Sequence, residues 1–222
     1  MNKYTVILLI GLILSGFGGL SAQPFADEIA AFKKLDSVSP PKKNSILFAG
    51  SSSFRLWADM QRSFAGFQVI NRSFGGASLP DMIRYADEII FPYQPKQIVI
   101  YCGENDIAAS DTITASIVFA RFKELYHLIR KRMPDVPVLF VSIKPSPSRW
   151  QYKKVMEASN NLIMRYLHRS KNARFINIWN AMLGKDGKPM SKLFIKDSLH
   201  MNERGYAIWQ NAIRPYLIKG NK

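Results

Sequence analysis

From Ile46 onward the chain alternates short, unbroken apolar runs with longer stretches in which apolar residues return every three or four positions. The runs, at about 46–50, 67–71, 97–102, 136–142 and 174–178, are rich in Val, Ile and Phe and bounded by Gly, Pro, Asn or Ser, which predicts five strands. The spacing between them predicts helices at about 80–91, 113–132, 152–170 and 202–217. A leading helix is expected from Phe25 to Leu35, ended by Ser39-Pro40-Pro41. Short apolar strands that alternate with amphipathic helices imply parallel pairing, with helices on both faces of one sheet. In such a sheet the loops that follow the strands gather at one edge, where ligands bind.

Chemistry-bearing residues stand at that edge. The first strand ends in Gly50-Ser51-Ser52-Ser53, which presents Ser52 as a candidate nucleophile. Phe54 stands where the G-x-S-x-G elbow would place its second glycine, so the α/β-hydrolase arrangement is not the one in use. The second strand leads into Asn71-Arg72-Ser73-Phe74-Gly75-Gly76, and the third into Gly103-Glu104-Asn105-Asp106. A glycine amide and an asparagine side-chain amide are the donors that an acyl-transfer site aims at an oxygen becoming negative. Near the C-terminus, Asp197-Ser198-Leu199-His200 sets a carboxylate three residues before a histidine. One turn of backbone can hold such a pair in contact, the aspartate fixing the imidazole tautomer and leaving its second nitrogen free to take a proton. His127 and His168 lie in basic helical stretches and are assigned to structure.

This order of serine, glycine, asparagine and histidine, with these local sequences, resembles the SGNH hydrolases, also called the GDSL lipase/acylhydrolase family. The likeness runs from about Ile46 to Tyr216, nearly all of the chain after its leader. It implies a three-layer α/β/α, flavodoxin-like fold around a parallel five-stranded sheet. It also implies roles: Ser52 as nucleophile, Asp197 and His200 as the orienting and proton-accepting pair, and Ser52, Gly76 and Asn105 as the oxyanion donors. Gly75 is the alternative to Gly76. The chain departs from the family at Ser51, where the name-giving motif carries aspartate, and at Glu104, where many members carry glycine; neither position supplies a member of the constellation. The activities implied are those of an esterase, lipase, thioesterase or carbohydrate deacetylase. A transferase using the same residues, or a non-catalytic carbohydrate-binding relative, is the alternative class.

The loop after the fourth strand, Lys144-Pro145-Ser146-Pro147-Ser148-Arg149-Trp150, is stiffened by its prolines. Arg149 and Trp150 are candidates to line a substrate pocket, the indole stacking on a sugar or packing on an acyl chain; covering the sheet end is the other reading of Trp150.

Composition narrows the setting. A chain of 222 residues with 47% hydrophobic content buries one substantial core, which points to a single catalytic domain, 45–222, after a helix and lead-in at 23–44. Residues 1–22 read as a secretory signal peptide, an apolar run from Thr5 to Leu14 and then small residues, with cleavage after Ala22 and export as the consequence. Cys102 is the only cysteine, so stability must come from the core, and its place at a strand end marks it as buried. The net charge of +15 is spread along the chain, as expected of solvated surface or of a weak attraction to anionic polymers or lipid headgroups. No nucleic-acid motif is present, and the partner expected is a small-molecule or carbohydrate ester. No metal-ligand spacing surrounds His200, so the expected enzyme needs no cofactor.

Overall fold

The computed structural model describes residues 24–219, so the stretch read as a signal peptide, 1–22, lies outside the described residues. Five strands, β1 (Ile46–Gly50), β2 (Val69–Asn71), β3 (Gln97–Tyr101), β4 (Val138–Val141) and β5 (Ala173–Ile176), form one parallel sheet in the order β2-β1-β3-β4-β5. That is the flavodoxin-like order, and its direction reverses between β1 and β3, which opens a crevice at their carboxyl ends.

The helices are α1 (Ala26–Val38), α2 (Ser52–Arg55), α3 (Met60–Ser63), α4 (Leu79–Arg84), α5 (Ala86–Ile89), α6 (Glu104–Ala108), α7 (Ala115–Arg132), α8 (Lys153–His168) and α9 (Glu203–Ile213). Side chains alternate along each strand between two cores. Leu47, Ala49, Ile98, Ile100, Val138 and Phe140 pack with residues of α1, α4, α5, α7 and α8. Ile46, Phe48, Val99, Tyr101, Leu139 and Val141 pack on the other side with α2, α3 and α9. The central strands β1, β3 and β4 are buried along their whole length and read as near-continuous apolar runs, whereas the edge strands β2 and β5 are only partly buried.

The long helices and all five strands fall where the sequence places them, with shifted ends. The stretch at 80–91 divides instead into α4 and α5 about Tyr85, and then a 3-10 turn at Phe91–Tyr93. Pro92 accounts for the end, because its ring would clash with the carbonyl of Glu88 in a continuing helix. The stretch at 202–217 is helical to Ile213, beyond which Pro215 sits in a 3-10 turn. The one-turn helices α2, α3 and α6 are too short to leave a periodic signal, yet α2 and α6 carry candidate site residues.

Two contacts fix the edge of the sheet. Gly50 pairs with Tyr101 so closely that a Cβ on Gly50 would lie 2.0 Å from the Tyr101 carbonyl oxygen. Trp209 of α9 is fully buried against Tyr101, with ring centroids 4.7 Å apart, and against Phe54 of α2 at 5.7 Å. Losing an indole of this kind to alanine costs about 3–5 kcal/mol, so α9 is held firmly to the strand and the helix that bound the crevice.

Candidate active site

The chain leaves β1 at Gly50, and the Ser51 N–H donates to the Tyr101 carbonyl (3.0 Å), which turns the backbone directly into α2. Ser52 is therefore the first residue of a helix. Its N–H belongs to the first turn, which has no intrahelical acceptor. Its hydroxyl lies 2.8 Å from His200 Nε2.

His200 is held from behind. Its Nδ1 is 2.6 Å from Asp197 Oδ2, while the other carboxylate oxygen accepts the backbone N–H groups of Leu199 and His200, each at 2.9 Å. The turn between them carries Ser198 in the left-handed region at φ 57°, uncommon for a residue with a Cβ. Hydrogen bonds from Ile195 N–H to the His200 carbonyl (2.8 Å), Ser198 N–H to Ile195 (2.9 Å) and Ser148 N–H to Ser198 (3.1 Å) hold that conformation. Asn202 then caps α9, its side chain accepting from Arg204 N–H at 3.0 Å and Gly205 N–H at 3.3 Å.

Burial of Asp197 would raise its pKa, but the hydrogen bonds from the His200 ring and from the two backbone amides outweigh it and hold the carboxyl at about 2. Asp197 is thus an anion wherever the protein is folded near neutrality, and the Nδ1 proton points at it. Nε2 is left as acceptor for the Ser52 hydroxyl proton. This linear chain of two hydrogen bonds is the arrangement that activates a serine for attack on a carbonyl.

The two residues expected as further oxyanion donors, Gly76 and Asn105, lie in the turns after β2 and β3. Gly76 lies at φ 74°, a conformation that glycine adopts at no steric cost. The neighbouring Gly75 N–H is already committed to the Glu28 carboxylate, at 3.1 and 3.3 Å, and Glu28 also pairs with Arg55 of α2. Among the described residues nothing accepts the Gly76 N–H, so of the two glycines it is Gly76 that has a donor to offer. Asn105 is the second residue of α6, in the turn that follows β3, and its Nδ2 donates to the Ala77 carbonyl at 3.0 Å. One amide proton is used in that bond and sets the orientation of the side chain; the second remains to be donated.

Arg149 is half-buried and forms no ion pair among the described residues. Trp150 stacks on Trp179, with centroids 6.1 Å apart, Lys153 Nζ sits 5.0 Å from its ring centre, and the indole packs partly buried against the core. Asp106 is fully buried, accepting from Leu79 N–H (2.9 Å) and Arg121 (2.8 Å), which ties α6 to α4 and α7. Burial pushes the Cys102 thiol well up, as befits a packing residue. His127 bonds the Tyr166 hydroxyl on the surface, away from the site.

Three contributors escape sequence reasoning: Glu28, which reaches the Gly75 amide from a helix 47 residues earlier, and the pair Glu104 and Lys144, 40 residues apart. The one available signal is a lysine closing the apolar run Val141-Ser142-Ile143, where a charge needs a partner. A cavity of about 1050 Å³ lies beside the Asp197–His200 turn between α2–α3 and α9, with Leu56, Ile195, Met201 and Tyr206 in its wall.

Residues 44–208 match the GDSL-like Lipase/Acylhydrolase family, and the chain belongs to it. No curated protein matches the chain. Among solved structures it is similar to a candidate acylhydrolase from Bacteroides fragilis (20% identity, TM-score 0.70, covering 88% of this chain and 94% of that one). It is also similar to a GDSL-like lipase from Bacteroides thetaiotaomicron (19%, 0.68, 84% and 97%) and to a family 3 carbohydrate esterase from Talaromyces cellulolyticus (15%, 0.62, 77% and 94%). The protein is accordingly an ester hydrolase of the acylhydrolase class with the α/β/α fold of that family.

The depressed pKa of Asp197 has a consequence for stability. Its ordinary value is 3.8 and its folded value about 2, so the folded form binds fewer protons in that window; the contribution is complete above about 4 and is lost as the pH falls toward 2. With 42% of the side chain exposed, solvent screening keeps the effect small. Urea melts at several pH values should show the Asp197→Asn variant lacking part of the wild-type decline between pH 4 and 2. Parallel declines in the two proteins would mean that the carboxylate is not stabilised by the His200 turn.

Proposed function

We propose that this protein is an exported serine esterase that removes short acyl groups, such as acetate, from carbohydrate or other small soluble esters through an acyl-enzyme. The observation that carries the reading is the Ser52 Oγ to His200 Nε2 contact of 2.8 Å, backed by His200 Nδ1 to Asp197 at 2.6 Å. In this mechanism His200 takes the hydroxyl proton as Ser52 Oγ attacks the ester carbonyl. The N–H groups of Ser52 and Gly76 and the free Nδ2 proton of Asn105 stabilise the oxyanion as it forms. Collapse of the tetrahedral intermediate expels the alcohol, which takes the proton from His200. Water, deprotonated by the same imidazole, then attacks the acyl-Ser52 carbonyl and frees the acid.

The preference for a short acyl group rests on the lack of a long inserted segment between the strands and on aromatic side chains near the site; likeness to a carbohydrate esterase supports the sugar ester as the substrate class. Export rests on the apolar run from Thr5 to Leu14 and the small residues ending in Ala22. N-terminal sequencing of protein recovered from the cell exterior or periplasm should begin at Gln23; an intact Met1 in that fraction would contradict cleavage.

Ser52→Ala should abolish release of acetate and p-nitrophenol from a panel of small esters, with an unchanged melting temperature, whereas Ser51→Ala and Ser53→Ala keep most of the activity. A dead Ser51 or Ser53 variant beside an active Ser52 variant would relocate the nucleophile.

Asn105→Ala should lower kcat by about 10²- to 10³-fold with KM little changed, because its free donor acts only as charge develops. The lost bond to Ala77 should cost about 1 kcal/mol in stability as well. Kinetics and melting on one preparation separate the two effects, and normal turnover would leave the oxyanion to backbone amides alone.

A further inference from the structure

Beneath the site lies a charged cluster that the proposed reaction does not use. The side chains of Lys144 and Glu104 are 0% and 5% exposed and form an ion pair. One Glu104 oxygen also accepts from the Tyr101 hydroxyl at 2.8 Å, and the other accepts from Ser146 Oγ at 3.0 Å. The Lys144 ammonium has the Tyr101 hydroxyl as a further partner at 3.4 Å.

Taking two opposite charges out of water is costly, and apolar residues of the same volume often stabilise a fold equally well. The pair is therefore better explained by what it holds in place than by stability. Its two ends have definite neighbours. Glu104 is the first residue of α6 and directly precedes Asn105. The close contact of the two elements is built into Gly103, where a Cβ would lie 2.9 Å from Ile143 Cδ1. Lys144 and Ser146 begin the loop whose Ser148 N–H donates to the Ser198 carbonyl, within the turn that carries Asp197 and His200. The base of the loop is fixed to α8, since Asn160 exchanges two hydrogen bonds with the Ile143 backbone at 2.8 and 2.9 Å.

We propose that Glu104 and Lys144 are positioning residues that lock the oxyanion side of the site, at Asn105, to the proton-transfer side, at Asp197 and His200, through the 144–148 loop. The inference rests on the esterase reading above. It gives a physical reason for a glutamate at position 104: the carboxylate is the common acceptor for β3, through Tyr101, and for the loop after β4, through Lys144 and Ser146. Neither residue touches the reacting atoms. Their effect is on geometry, and a displacement of about 1 Å in such a site can cost about 100-fold in rate.

The test is the double variant Glu104→Gln/Lys144→Met in the mature protein, which removes both charges together and leaves no unpaired ion. Three quantities are read: melting temperature, steady-state kinetics on p-nitrophenyl acetate, and the rate of covalent labelling by a fluorophosphonate. A positioning role predicts melting within a few degrees of wild type, kcat reduced by about 10- to 100-fold, KM within about twofold, and labelling slowed in parallel. Wild-type kcat in the folded double variant would overturn the proposal, as would a lower melting temperature with unchanged turnover per folded molecule. Should the double variant not fold, Ser146→Ala removes only the loop's hydroxyl from Glu104. There a fall in kcat of about three- to tenfold is expected, and wild-type kcat overturns the proposal. A wild-type protein that neither hydrolyses the ester nor takes the label would instead sink the esterase reading, and this inference with it; normal wild-type activity with an indifferent double variant sinks the inference alone.

Discussion

The site depends on the close approach of two backbones at the carboxyl edge of the sheet. Gly50 has no side chain, so β1 and β3 can pair to their ends, and the Ser51 N–H then reaches the Tyr101 carbonyl at 3.0 Å. From this single junction the chain departs in two directions. After Gly50 it turns into α2 and places Ser52; after Tyr101 it turns through Gly103 into α6 and places Asn105. Because the strand order reverses between β1 and β3, no connection crosses the space between those two turns, and a crevice is left where a substrate can enter.

His200 reaches the same place from the far end of the chain by different means. The helix that follows it, α9, is secured by Trp209 in the core shared with Phe54 and Tyr101, while the turn that carries His200 is set by hydrogen bonds to Asp197 and to the loop after β4. Apolar burial thus supplies the coarse placement and directed polar bonds the fine placement. The division is physically sensible: burial is strong and non-directional, whereas a hydrogen bond fixes distance and angle at about 1 kcal/mol net. The polar residues packed behind the site, Glu28, Glu104, Asp106 and Lys144, all make bonds between elements distant in sequence.

Much of this was legible in the sequence. Five apolar runs bounded by turn residues become five strands, and the central three, β1, β3 and β4, need no polar alternation because both of their faces are buried. Ser52 stands out by following a strand and a glycine, and Asp197 with His200 by a spacing that one turn can close. The flavodoxin-like class follows from the family resemblance and not from periodicity, since the order in which parallel strands pair leaves no local mark. The one-turn helices were invisible for lack of length. Glu28 and the Glu104–Lys144 pair were missed for a different reason: each acts on residues 40 or more positions away, and a lone charged side chain does not announce its partner. Trp150, open to two readings in sequence, stacks on Trp179, a contact that no local pattern announces.

The central claim is that Ser52 carries the acyl group between two half-reactions. The most direct measurement is to mix the protein with p-nitrophenyl acetate, quench with acid in the pre-steady state, and locate any added acetyl group by peptide mass spectrometry. A burst of p-nitrophenol is expected, with one acetyl group on the peptide containing Ser52, at Ser52 itself, decaying as turnover proceeds. Steady hydrolysis with no acetylated serine under conditions that accumulate the intermediate, or an acetyl group on a different residue, would contradict it.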